Sequence, residues 1–191
     1  MTILVLGLVL FLGIHSLSIV NEPFRDRMVA RLGEWPFKGL YALIALVGLI
    51  GIVWGYGLAR QEPTLLYVPP TWLSHVAMIL LLPVFPLLLA AYLPGGIQRK
   101  LKRPMLVAVK LWALAHLLAN GMLHDVLLFG GFLAWAVADR ISLKRRQPRS
   151  LPSLPASSLN DWVAVLVGLA IYGAFITGGH YWLIGVEPVA F

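Results

Sequence analysis

Leu111-Trp112-Ala113-Leu114-Ala115-His116-Leu117-Leu118-Ala119-Asn120-Gly121 decides how this chain is read. The stretch is apolar enough to lie inside a bilayer, yet it carries an imidazole at its centre. An ionisable side chain at membrane depth is costly, so it usually has a partner and a task. A second histidine, His15, sits in the first apolar segment. Two histidines on separate membrane helices fit axial ligation of a b-type haem, and the competing reading is hydrogen bonding between helices. Neutral imidazole binds iron well, and two imidazoles fill both axial positions.

Working outward, the whole chain shares this character. Of its 191 residues 60% are hydrophobic and 12% charged. The mean hydropathy of +0.85 marks a polytopic membrane protein rather than a soluble domain. A single domain over residues 1–191 is expected, since no stretch is long and polar enough for a second. Cysteine is absent, which removes disulfides, iron–sulfur clusters, thiolate ligands and a cysteine nucleophile. The start lacks a basic n-region and an A-x-A-like site, so the first segment is expected to be a retained helix.

Six spans are predicted, at about 2–20, 38–58, 70–93, 104–120, 122–137 and 162–182. A span needs roughly 20 apolar residues. The fourth and fifth are short. A turn at Asn120-Gly121 separates them, with the polar pair His124-Asp125 marking an interface; one long kinked helix is the alternative. Counting Lys38 at the start of span two, thirteen of the fifteen Lys and Arg residues fall on the side of the loops after spans one, three and five. This is a positive-inside pattern. It puts both termini on the non-cytoplasmic side, and it would fail with five spans. The net charge of +7 is therefore topological, and nucleic acid is not expected as a partner. Pro83 and Pro86 should bend span three. Residues 150–158, rich in Ser and Pro, read as a linker. Gly48, Gly51 and Gly55 in span two are spaced for close helix packing.

The expected fold is thus an all-α membrane helix bundle. Around His116, helical offsets of three and four place Ala108, Trp112, Ala113, Ala119 and Asn120 on one face. Small residues there leave room for a flat macrocycle, with Trp112 and Asn120 beside it. Near His15, Ser16 or Ser18 is expected to orient the ring. His116 lies about 18 Å from the cytoplasmic start of its span, and His15 is roughly 10 Å shallower. On depth, His75 with His116 is a rival ligand pair. His75, His124, Asp125 and His180 form a weaker candidate metal cluster near the opposite face. No P-loop, dinucleotide fingerprint or carboxylate pair within a span is present, so nucleotide binding and a carboxylate-driven pump have no support.

Three stretches together resemble the NnrU family of bacterial membrane proteins. They are Gly13-Ile14-His15-Ser16, then Arg25-Asp26-Arg27-Met28-Val29-Ala30-Arg31-Leu32-Gly33-Glu34 leading to Lys38-Gly39-Leu40-Tyr41, and Arg103-Pro104-Met105-Leu106 followed by 110–121. The resemblance covers nearly the whole chain. It implies a multi-pass protein of the bacterial cytoplasmic membrane, linked to denitrification and nitric oxide metabolism. The family is similar to the 15-cis-ζ-carotene isomerase of plants and cyanobacteria, a membrane haem b enzyme whose haem histidines lie in motifs like those around His15 and His116. This implies haem b as cofactor, His15 and His116 as ligands, membrane lipid as surroundings, and an apolar polyene as substrate or a redox protein as partner. Electron transfer, nitric oxide sensing and a haem-free structural or transport role are the alternatives. Two departures stand out. Lys102-Arg103-Pro104 replaces a frequent Arg-His-Pro, and Ala113 occupies the position of the isomerase's cysteine, so a thiolate ligand switch is unavailable.

Overall fold

Helix α1 (Thr2–Val20) is a continuous apolar run with no proline, and it stops where Asn21 ends the hydrophobic stretch. The computed structural model describes residues 1–146 and 153–188. Its Asn21 side chain accepts a hydrogen bond from the Phe24 amide and starts α2 (Glu22–Leu32), with Pro23 in the first turn. This surface helix is not among the expected elements. Its signal is nonetheless ordinary: an Asn cap followed by Glu-Pro. Gly33, at φ 85, supplies the left-handed residue that separates α2 from α3 (Glu34–Ala59). Helix α3 begins four residues before the expected Lys38, because Glu34 and Lys38 pair at 2.6 Å across one turn.

The chain packs as two units, Met1–Val68 with Asn120–Pro148 and Pro69–Ala119 with Arg149–Phe191. In the first, α1 lies against α3 and against α8 (Leu123–Ser142). The α1–α3 seam is the expected small-residue packing. A Cβ placed on Gly48 would lie 2.6 Å from the Phe11 amide nitrogen, and one on Gly7 would lie 2.5 Å from that of Ile52. The outward faces stay apolar: Val9 is 64% exposed and Val53 67%, as lipid-facing side chains would be.

In the second unit, α4 (Trp72–Leu81) and α5 (Val84–Ala90) are one span interrupted at Pro83, as expected. A short α6 (Gly96–Leu101) follows, then α7 (Pro104–Ala119). Helices α4 and α5 pack on α7, and α5 on α9 (Leu159–Ala174). The last span passes through a π-helical turn at Phe175–Gly179 into α10 (His180–Ile184). Adjacent Gly178 and Gly179, poor helix formers, sit at this irregularity. The linker expected at 150–158 lies partly outside the described residues. Its remainder is fixed to the turn after α5: Leu154 donates to the Tyr92 carbonyl at 3.0 Å and Ser157 to that of Pro94 at 3.2 Å. It is therefore not a loose tether over that stretch.

Among the described residues, four helices are long and apolar enough to cross a membrane: Thr2–Val20, Glu34–Ala59, Trp72–Ala90 and Leu159–Ile184. The expected fourth and fifth spans do not qualify on their own. Helix α7 has 16 residues, about 24 Å at 1.5 Å each, short of a roughly 30 Å hydrocarbon core. Helix α8 runs past the expected Val137 to Ser142 and carries Asp125, Asp139 and Arg140. The break between them is real, which excludes one long kinked helix. Met122 is extended, at φ −85 and ψ 151. The Gly121 carbonyl accepts from the Leu66 amide at 2.9 Å, and the Leu123 amide donates to the Thr64 carbonyl at 2.8 Å.

Candidate functional site

His15 projects from α1 into an aromatic enclosure built by three helices. Its ring stacks on Phe11 at 4.3 Å and meets Tyr41 of α3 edge-on at 5.3 Å. Trp135 of α8 stands perpendicular to it at 6.0 Å. Nδ1 donates to the Phe11 carbonyl at 2.6 Å. A carbonyl only accepts, so this bond puts the proton on Nδ1 and the lone pair on Nε2. The orienting partner is thus a backbone oxygen one turn back, not the expected Ser16 or Ser18. The Trp135 indole nitrogen is buried and has no hydrogen-bond partner among the described residues. A buried orphan donor beside a half-buried imidazole marks this as a polar point inside an apolar bundle.

His116 repeats the device on α7. Its Nδ1 donates to the Trp112 carbonyl at 2.8 Å, so its lone pair also falls on Nε2. The Trp112 ring lies 5.4 Å away, tilted by 55°. Ala108, Ala113 and Ala115 are fully buried, so these alanines serve close helix packing. Trp112 also packs against the cluster of Val84, Leu87 and Ala108. Asn120 lies beyond the last residue of α7, so the helical register with His116 ends before reaching it; its carbonyl accepts from the Tyr67 hydroxyl at 2.7 Å.

No group of three or more His, Asp or Glu side chains suited to a metal occurs among the described residues. His75 is exposed, and His180 donates from Nδ1 to the Val186 carbonyl at 2.7 Å. These two belong to the second unit, whereas His124 and Asp125 belong to the first.

His124 and Asp125 instead form a polar site that sequence reasoning placed at an interface. Each is only 4% exposed. Tyr56 of α3 donates to Asp125 Oδ1 at 2.6 Å, and His124 Nε2 lies 3.7 Å from the same oxygen. The Tyr56 and His124 rings meet edge-on at 5.1 Å. Asp125 occupies the first turn of α8, where a negative charge is favoured by the helix dipole. Tyr67, in the connection between spans, feels the same carboxylate: partial burial and then Asp125 raise its hydroxyl pKa above the usual range. The missed signal was Tyr56, a hydroxyl in an otherwise apolar span opposite the only acidic residue at that end of α8. Tyr56→Phe is expected to cost about 2 kcal/mol, the value of a hydrogen bond to a charged acceptor. Thermal unfolding in detergent measures this, and an unchanged midpoint would remove the bond from the stability argument.

A family model described as NnrU protein matches residues 3–188. No curated protein and no solved structure matches the chain. The match runs through both packing units, and the chain belongs to the NnrU family.

Proposed function

We propose that this NnrU protein is a haem b protein of the bacterial cytoplasmic membrane, with His15 and His116 as the iron ligands. The proposal takes the six-span arrangement with both termini non-cytoplasmic, supported by the one-sided distribution of the basic residues. One observation carries the cofactor reading. Both histidines donate Nδ1–H to the carbonyl four residues earlier, at 2.6 and 2.8 Å. Metal-ligating histidines usually spend their second nitrogen in this way, which fixes the tautomer and raises ligand basicity. The donor set therefore fits: two imidazoles with Nε2 lone pairs, aromatic walls, and an orphan indole donor at Trp135.

When bound, haem would supply a one-electron redox centre. This chain's residues would do the rest. His15 and His116 hold the iron. Phe11, Tyr41 and Trp135 exclude water around one ligand and restrict its rotation. Trp112 flanks the other. The resemblance to the carotene isomerase makes an apolar polyene the substrate class for an enzymatic role, with membrane lipid as its solvent. The enclosure around His15 favours a second reading, electron transfer. A ligand packed on Phe11 at 4.3 Å and edged by two further rings is held against detachment, whereas binding nitric oxide or substrate at iron needs a ligand to leave.

The test is the optical spectrum of the full chain purified from haem-replete cells. A Soret band that shifts on dithionite reduction is expected, with the visible bands of low-spin haem. A clean preparation without that band overturns the cofactor reading and leaves the haem-free role. Carotenoid profiles of a pigment-making host, with and without the chain, then separate isomerase from electron carrier.

A further inference from the structure

One turn beyond His15, the ends of α1 and α8 enclose a recess of about 370 Å³. Its wall is apolar along Ile19, Ala138 and Ile141, and its polar groups include Glu22, Ser142, Arg145 and Arg146. The depth of this recess follows from length. Helix α1 has 19 residues, about 28 Å, which nearly matches the hydrocarbon thickness of about 30 Å. Residues 18–22 therefore lie where the apolar core gives way to lipid headgroups.

Two features say what would fit. Arg146 folds back onto Asp139 through Nη2, yet its Nε is buried with no hydrogen-bond partner among the described residues. A buried guanidinium donor left unmatched is costly, and phosphate oxygens match its geometry. Asp139 already offsets part of the Arg146 charge, and Glu22 on the same recess would repel a head that is only anionic. A head with both signs answers both groups. The C-terminal ends of α1 and α8 meet here, and their carbonyl ends favour cations.

We propose that this recess binds a phospholipid whose head carries a primary ammonium beside its phosphate. Arg146, aided by Arg145 and Ser142, takes the phosphate oxygens. Glu22 accepts from the ammonium, using acceptor capacity that a carboxylate has in several directions. An acyl chain follows Ile19, Ala138 and Ile141 toward the bilayer. The proposal does not depend on haem.

The experiment is native mass spectrometry of the full chain, delipidated and exposed in turn to phosphatidylethanolamine, phosphatidylglycerol and phosphatidylcholine. One tightly held phosphatidylethanolamine is expected. Arg146→Gln should weaken it about tenfold, the effect of losing one charge-assisted hydrogen bond. Glu22→Gln should erase the preference over phosphatidylcholine, whose quaternary ammonium cannot donate, and strengthen phosphatidylglycerol, whose anionic head Glu22 repels. Should Arg146→Gln not fold, Arg145→Gln, at an exposed residue, and Ser142→Ala, at a half-buried one, carry the test with smaller losses. Preference for phosphatidylglycerol overturns the proposal, as does equal retention by wild type and all variants. Loss of a haem Soret band with lipid binding intact would assign Arg146 to cofactor carboxylates instead.

Discussion

Gly48→Leu is expected to destabilise the first unit by about 3 kcal/mol or more, at the upper end for an overpacked interior. The reason is what the new side chain meets. A Cβ at Gly48 would sit 2.6 Å from the Phe11 amide nitrogen and 2.9 Å from its Cα. Neither atom belongs to a flexible side chain, so α1 and α3 must separate. Separation also opens the enclosure of His15, because Phe11 lies on α1 and Tyr41 on α3. Against a typical total of 5–15 kcal/mol, this is a large fraction. The sign reverses where the seam is absent. A Cβ on Gly39 or Gly57 meets nothing within 4 Å, so Ala there should be neutral or stabilise by up to about 1 kcal/mol through helix propensity. Denaturant midpoints of the three variants decide it. A Gly48→Leu midpoint equal to that of Gly39→Ala would mean the helices do not touch at this seam.

The seam was legible because glycine spacing in an apolar helix has one common use, close backbone approach. The proline break in span three was legible for a similar reason: Pro83 cannot donate to the ladder whatever surrounds it. Helix ends were harder. Helix α3 starts early through a Glu34–Lys38 pair, and α2 exists through an Asn21 cap, both local interactions worth too little to outweigh the hydropathy trace that set the boundaries. The pinning of Leu154 and Ser157 to residues 92 and 94 is a long-range contact, and composition alone reads such a segment as free.

At the candidate site, residue types were legible and partners were not. His15 and His116 stand out because imidazole is rare in apolar spans. That each is oriented by its own helix backbone could not be chosen over Ser16 or Ser18, since both lie within reach on paper. The Tyr56–Asp125–His124 cluster joins residues 69 apart. His124-Asp125 beside Asn120-Gly121 looks like an exposed turn; Tyr56 of α3 packs against the pair, and residues 64–67 bond to the backbone beside it. Asn120 shows the limit of helical offsets, which hold only while the helix continues.

Replacing either His15 or His116 should convert a low-spin haem spectrum to high spin, and replacing both should abolish the pigment. The loss can be separated from unfolding because of how these rings are held. Each imidazole bonds a carbonyl of its own helix, Phe11 or Trp112, so the bond that orients the ring does not join two helices. At His15 an alanine would leave a gap among Phe11, Tyr41 and Trp135, which costs about 2–5 kcal/mol for a large-to-small change in a core. His15→Leu fills most of that space without offering a lone pair, so it isolates ligation from packing. Cofactor retention should fall more than about 100-fold in the double variant, beyond the 10–100-fold typical of losing an outer-shell partner. Added imidazole should restore the low-spin bands in either single alanine variant, where the lost ring leaves room for it, and not in His15→Leu; a merely structural histidine would not allow such rescue. His75→Ala is the discriminating control: His75 is exposed on α4, and its loss should leave the spectrum unchanged. If His75→Ala converts the spectrum while His15→Leu does not, the ligand pair is His75 with His116, and the aromatic enclosure of His15 serves packing alone.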